Sequence, residues 1–140
     1  MDRFDASRGK LRQVLERRVL RQKMLQLPID SQVPKWIEDT IQKMCNLGYI
    51  DDRRYAENII RRLSASGKST RFILQKLQTE GIDSELINSL LDPADDLERA
   101  KIFVHKKRLG SNYEKDLTKL ARAGFNYETA KQALKGETDV

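Results

Sequence analysis

The sequence predicts an all-α protein of three tandem three-helix, helix-turn-helix-like repeats, the first of them incomplete. Apolar residues recur at three- and four-residue spacing along most of the chain, and period-two clusters of β-branched residues are absent. The seven glycines and three prolines stand at apparent helix ends. A block also returns at a fixed offset: Gly67, Leu74, Leu77 and Gly81 reappear as Gly110, Leu117, Leu120 and Gly124, each 43 positions on. At that offset Phe125 follows Ile82, Asn126 follows Asp83, Leu134 follows Leu91, and Ile102 and Phe103 follow Ile59 and Ile60. A period of this length marks repeated supersecondary units in a row.

Residues 1 to 6 are expected to be loose. Ser7 starts a helix running to about Lys23, with Leu11, Val14, Leu15 and Val19 on one face. Leu27, Pro28 and the stretch from Ser31 to Pro34 break it. Pro34 suits the first turn of the second helix, where a missing N–H costs nothing. That helix carries Trp36, Ile37, Ile41, Met44 and Leu47 and ends at Gly48; Trp36 is expected in the core as the largest apolar side chain. Asp51 or Asp52 caps the third helix, which turns Tyr55, Ala56, Ile59, Ile60 and Leu63 inward.

Ser64 to Ser69 form a turn, and Phe72, Ile73, Leu74 and Leu77 line the fourth helix up to Gly81. Asp83 caps a short fifth helix with Leu86, Ile87, Leu90 and Leu91, and Asp92-Pro93 closes the block. Asp95 and Asp96 open the next helix, Ile102 and Phe103 face inward, and Gly110 ends it. Ser111 with Glu114 has capping-box spacing before a helix lined by Tyr113, Leu117 and Leu120. Gly124 stops that helix, Ala130 and Leu134 sit on the last one, and the tail from Gly136 is expected to fray. In the first block Leu11 and Val14 pair with Leu74 and Leu77, 63 positions away, but no helix precedes them. Terminal units of repeat proteins are commonly atypical. The expected boundaries are 1–50, 51–92 and 93–140.

At 39% hydrophobic and 34% charged residues the chain suits a well-solvated, elongated helical array. The net charge of +6 is uneven: residues 1–23 hold eight basic side chains against three acids. Residues 24–50 sum to −1, 51–92 to zero and 93–140 to +2. A basic first helix can hold phosphates by charge, and it can equally be a solvated face. The lone Cys45 excludes an internal disulfide and is expected to be a buried thiol. No run reaches the roughly 18 apolar residues of a membrane span, and no apolar signal block opens the sequence, so the expectation is a cytoplasmic protein.

Catalytic constellations are missing from the pattern. One histidine, His105, stands beside Lys106 and Lys107, and no His/Cys/carboxylate group has metal-ligand spacing. No catalytic residue, metal or cofactor is therefore expected. Gly67-Lys68-Ser69-Thr70 imitates the end of a phosphate-binding loop, but Arg62 stands where that loop needs a glycine, and a helix precedes it instead of a strand.

The stretch Asn-Leu-Gly-Tyr-Ile-Asp-Asp-Arg-Arg-Tyr-Ala-Glu (46–57), then Gly67-Lys68-Ser69 and Thr-Glu-Gly-Ile-Asp (79–83), resembles the RecX family of bacterial RecA modulators. Leu-Ala-Arg-Ala-Gly-Phe-Asn-Tyr-Glu-Thr-Ala (120–130) is similar to that family's closing motif. The resemblance covers nearly the whole chain and is weakest in the first unit. It implies three three-helix units in a curved array lying along the groove of a RecA filament on DNA. It also implies a role in DNA repair, recombination and the SOS response. Inhibition of strand exchange, ATPase and co-protease activity is the implied effect, with no short catalytic signature to carry over.

The residues expected to meet the filament are Arg53, Arg54, Arg61 and Arg62, with Lys106, Lys107 and Arg108, all on the first helix of a unit. Arg12, Arg17, Arg18 and Arg21 are the candidates for single- or double-stranded DNA, and the protein is expected to be a monomer. The alternative is a helix-turn-helix DNA-binding protein. Against it, the third helices at 84–91 and 127–135 are short and offer only Asn88, Lys131 and Gln132 as base-reading side chains.

Overall fold

The computed structural model describes residues 6–138. Among these residues are eight α-helices and no strand: α1 (Arg8–Met24), α2 (Val33–Asn46), α3 (Asp52–Ala65), α4 (Thr70–Thr79), α5 (Ser84–Leu90), α6 (Asp96–Lys106), α7 (Tyr113–Arg122) and α8 (Tyr127–Thr138). A 3-10 turn, Pro93–Asp95, leads into α6. The fold is all-α, as the periodicity requires, with α3–α5 answered by α6–α8 and a shorter α1–α2 ahead. The expected loose start falls largely outside the described residues. The tail expected to fray at Gly136 is helical to Thr138.

Capping chemistry sets most of the ends. Ser7 accepts the Lys10 N–H at 3.0 Å, Asp51 the Arg54 N–H at 3.1 Å, Asp83 the Glu85 N–H at 3.2 Å and Asn126 the Thr129 N–H at 2.8 Å. Gly81 and Gly124 follow α4 and α7 at φ 77° and 100°, a left-handed backbone that glycine adopts without a Cβ penalty.

The chain divides into two compact units, Met1–Tyr55 with Thr79–Ile82, and Ala56–Gln78 with Asp83–Val140. In the first, α1 packs on α2, and Ile41, Ile50 and Ile82 are buried. The buried hydroxyl of Ser7 caps α1 and also donates to the Glu80 carbonyl, while the Arg8 N–H donates to Asp52 Oδ1 at 2.8 Å. Here the Gly9 and Gly81 backbones approach so closely that a Cβ on either would stand 2.8 Å from the other's Cα.

In the second unit, α6, α7 and α8 enclose Ala100, Val104, Leu120, Phe125, Ala130, Ala133 and Leu134, with Phe103 tilted against Phe125 at 6.0 Å. Each fully buried leucine or valine there contributes about 1.5–3 kcal/mol. The contact between blocks repeats the one just described. Ser69, buried, caps α4 through the Phe72 N–H (3.1 Å) and donates to the Ala123 carbonyl at 2.9 Å. The Thr70 N–H donates to Asp96 Oδ1 at 2.7 Å, as Arg8 does to Asp52. Arg99, only 3% exposed, completes this contact: it reaches Ser64 Oγ (3.0 Å), Thr70 Oγ1 (2.8 Å), the Asp92 carbonyl (3.3 Å) and Asp96 Oδ1 (3.3 Å).

The shared contact fixes the register of the first block. Ser7 and Ser69 are 62 positions apart, as are Arg8 and Thr70, so the expected offset of 63 is one residue out. Leu11 then matches Ile73, Leu15 matches Leu77, and Val14 matches Lys76. Val14 is accordingly 52% exposed.

Other expectations are corrected by helix phase. Trp36 is 53% exposed, not core. The inward stripe of α2 is Val33, Ile37 and Ile41 with Met44 and Cys45, whereas Trp36, Thr40, Lys43 and Leu47 form the exposed one. Cys45 is half-buried. Phe72 and Tyr113 are likewise exposed, and the Lys68 ammonium sits 4.9 Å over the Phe72 ring. The cap of α7 is Asn112, accepting the Lys115 N–H at 3.2 Å, because the helix begins one residue later than the Ser111 box implied. Helix α6 ends at Lys106 with Arg108 left-handed at φ 53°, before Gly110 is reached.

Candidate docking surface

The cations expected to meet a partner are arranged by helix ends. On α3, Arg53 is exposed, Arg54 half-buried, and Arg61 and Arg62 exposed in and near the last turn. The Arg61 guanidinium donates to Asn58 Oδ1 at 2.6 Å, which steadies it without neutralising it. Lys106, Lys107 and Arg108 are exposed at the end of α6 and in the turn after it. Cations at helix C-termini complement the dipole, which favours Arg62 and Lys106 there, whereas Arg53 and Arg54 stand in the first turn of α3 and gain nothing from it.

The basic helix α1 is less uniform than its composition implies. Arg12 is committed to α2: its Nε and Nη2 donate to Glu38 Oε1 and Oε2 at 2.9 and 3.0 Å, a fork that fixes one helix on the other. Arg17, Arg18 and Arg21 are exposed and make no ion pair or hydrogen bond to another described side chain.

Buried polar groups missed by reading the sequence, namely Arg99, Asp116 and the donor side of Ser7 and Ser69, all serve the fold, and the half-buried Asp96 joins them. Asp116 Oδ2, for example, accepts the Gly110 N–H at 2.7 Å and ties the turn after α6 to α7. Among the described residues no group of three or more His, Cys, Asp or Glu is placed to hold a metal ion, and no helix is long and apolar enough to cross a membrane. Gly67 to Thr70 join two helices. The Ser69 and Thr70 hydroxyls there are engaged by Ala123 and by Asp96, the latter at 2.6 Å. The arrangement is one of surfaces presented by helix ends.

Comparison with known proteins bears on whose surfaces these are. The family model for the second three-helix domain of RecX matches residues 51–91, the span of α3–α5. A Myxococcus xanthus protein named Regulatory protein RecX is 32% identical over 148 residues, covering 96% of this chain and 79% of its own length. The chain belongs to the RecX family. RecX proteins of the same name from Vibrio vulnificus (30% identical; 84% of this chain, 80% of that protein) and Agrobacterium fabrum (32%; 64% and 54%) agree. No solved structure matches the chain. Against the RecX frame, the matched domain is the one whose first helix carries Arg53, Arg54, Arg61 and Arg62. In the block that follows, α6–α8, Lys106 ends the first helix and Lys107 and Arg108 lie in the turn after it.

Proposed function

We propose that this chain is a non-enzymatic regulator, mainly an inhibitor, of the RecA recombinase. It docks along the RecA–DNA filament and limits filament growth, ATP hydrolysis, strand exchange and co-protease activity. The observation that carries this reading is the similarity to proteins named as regulators over 96% of the chain. On this reading the protein acts in the cytoplasm as a monomer, without cofactor, through units bounded at 1–50, 51–92 and 93–140. It meets DNA directly or through the filament. Arg53, Arg54, Arg61 and Arg62, with Lys106, Lys107 and Arg108, make the contact.

What supports that choice is their position. Arg61 and Arg62 lie exposed near the end of the first helix of one block, and Lys106, Lys107 and Arg108 at the end of the first helix of the next and in the turn after it, while Arg53 is exposed at the start of α3. Complementary charge of this kind sets association rate and specificity, and single exposed pairs contribute about 0.2–1 kcal/mol. Co-sedimentation with RecA filaments on single-stranded DNA tests the reading. Arg61→Glu with Arg62→Glu is expected to weaken binding about tenfold, which corresponds to about 1.4 kcal/mol. Unchanged binding would remove these arginines from the contact. Tight binding to one duplex sequence, with none to filaments, would transfer the protein to the helix-turn-helix DNA readers.

A further inference from the structure

None of the 17 residues of α1 is buried. A helix in a folded protein ordinarily hides an apolar stripe. Leu11, Leu15 and Val19 of α1 are half-buried, and Arg12 is held by Glu38 of α2. Elsewhere on the helix Val14, Leu20, Met24 and the capping Leu25 are 52, 55, 77 and 64% exposed. They share an open groove of about 600 Å³ with Arg17, Arg18 and Arg21. Positions 14, 17, 18, 20, 21, 24 and 25 are linked by three- and four-residue steps, so this is one continuous stripe.

We propose that the stripe is a docking surface for an acidic amphipathic helix of a partner protein. Its composition selects that occupant. Methionine and arginine are among the residues enriched in protein interfaces, and exposed guanidinium groups donate to carboxylates in a bidentate fork. Aliphatic groups at both ends of the arginine run require an apolar counterpart alongside the carboxylates, which an amphipathic helix supplies at matching spacing.

Nucleic acid fits less well. Helix α1 has no aromatic side chain on which a base can stack, and phosphates would leave four aliphatic side chains facing polar backbone. A lipid surface needs an unbroken apolar face, and here arginines interrupt it. Apposing α1 of a second copy would set arginine against arginine, with Glu16 the single acid in the helix to relieve them. The inference names a chemistry, and it stands whether or not that partner is RecA.

The test uses the full chain and fluorescence anisotropy. The probe is a designed amphipathic peptide carrying leucine and glutamate on one face; a scrambled peptide, a single-stranded oligonucleotide and vesicles containing anionic phospholipid are compared with it. The designed peptide is expected to bind at least about tenfold more tightly than the scrambled one. Both Leu20→Ser with Met24→Ser and Arg17→Glu with Arg21→Glu are expected to lose about tenfold. All four positions are exposed, so the fold is expected to survive, which circular dichroism checks. If either variant loses helicity, NMR shift changes along α1 of the unaltered chain on adding the peptide decide instead. Absence of peptide binding or shifts, or binding indifferent to both pairs, overturns the proposal. So does tighter capture of oligonucleotide or vesicles that ignores Leu20→Ser with Met24→Ser.

Discussion

Replacing Arg99 tests the physical account of how successive blocks are joined. Its guanidinium is buried and bonds to Ser64, Thr70, the Asp92 carbonyl and Asp96. Arg99→Met keeps the aliphatic stem and removes every one of these donors. Breaking a buried ion pair from one side typically costs about 3–5 kcal/mol, because the remaining charge is left uncompensated. Asp96 retains the Thr70 N–H and hydroxyl, and its side chain is 18% exposed, which places the cost near the lower end, about 3 kcal/mol. With a urea m-value of about 2 kcal/mol/M, the unfolding midpoint falls by about 1.5 M. Urea denaturation followed by circular dichroism reads this directly. A double-mutant cycle with Asp96→Asn supplies the second arm, since removing both charges leaves no orphan and the two losses should fall well short of additive. A midpoint shift below about 0.5 M, or strict additivity, would refute the role given to Arg99.

Two further substitutions separate sterics from conformation and phase from composition. Gly48 and Gly67 share a left-handed φ of 78° and 79°, but a Cβ at Gly67 would meet Phe103 N at 2.7 Å, whereas at Gly48 nothing lies within 4 Å. Gly48→Ala is expected to cost about 1 kcal/mol and Gly67→Ala at least about 2 kcal/mol more, measured as the difference in thermal unfolding. Trp36→Ala is expected to cost under about 1 kcal/mol by the same assay, against the 3–5 kcal/mol of a buried tryptophan.

Much of this architecture is legible along the chain because capping is local chemistry. Ser7, Asp51, Asp83 and Asn126 act on N–H groups two or three residues away, and Gly81 and Gly124 occupy the left-handed positions that follow a helix. The 43-residue offset between the later blocks reflects the same local rules applied twice. What resists reading is phase and aim. Trp36 lies one residue from Ile37, about 100° around the helix, so its size says nothing about the side on which it falls. Ser7 and Ser69 each keep a hydroxyl proton after capping, and its target lies 73 or 54 residues away.

Arg99 reads as surface because arginine usually is, and its burial becomes intelligible only once Asp96 and Thr70 stand beside it. Arg12 illustrates the converse. It reads as one more cation on a basic helix, yet Glu38, 26 residues on, holds it in a fork.

The claim that this protein regulates RecA is tested most directly by RecA's DNA-dependent ATP hydrolysis, followed as the purified chain is titrated in at two salt concentrations. The account predicts that hydrolysis falls with added chain, and that the half-inhibitory concentration rises steeply at the higher salt, as charge-driven docking requires. Hydrolysis that continues unchanged under a several-fold molar excess of chain over RecA would contradict it.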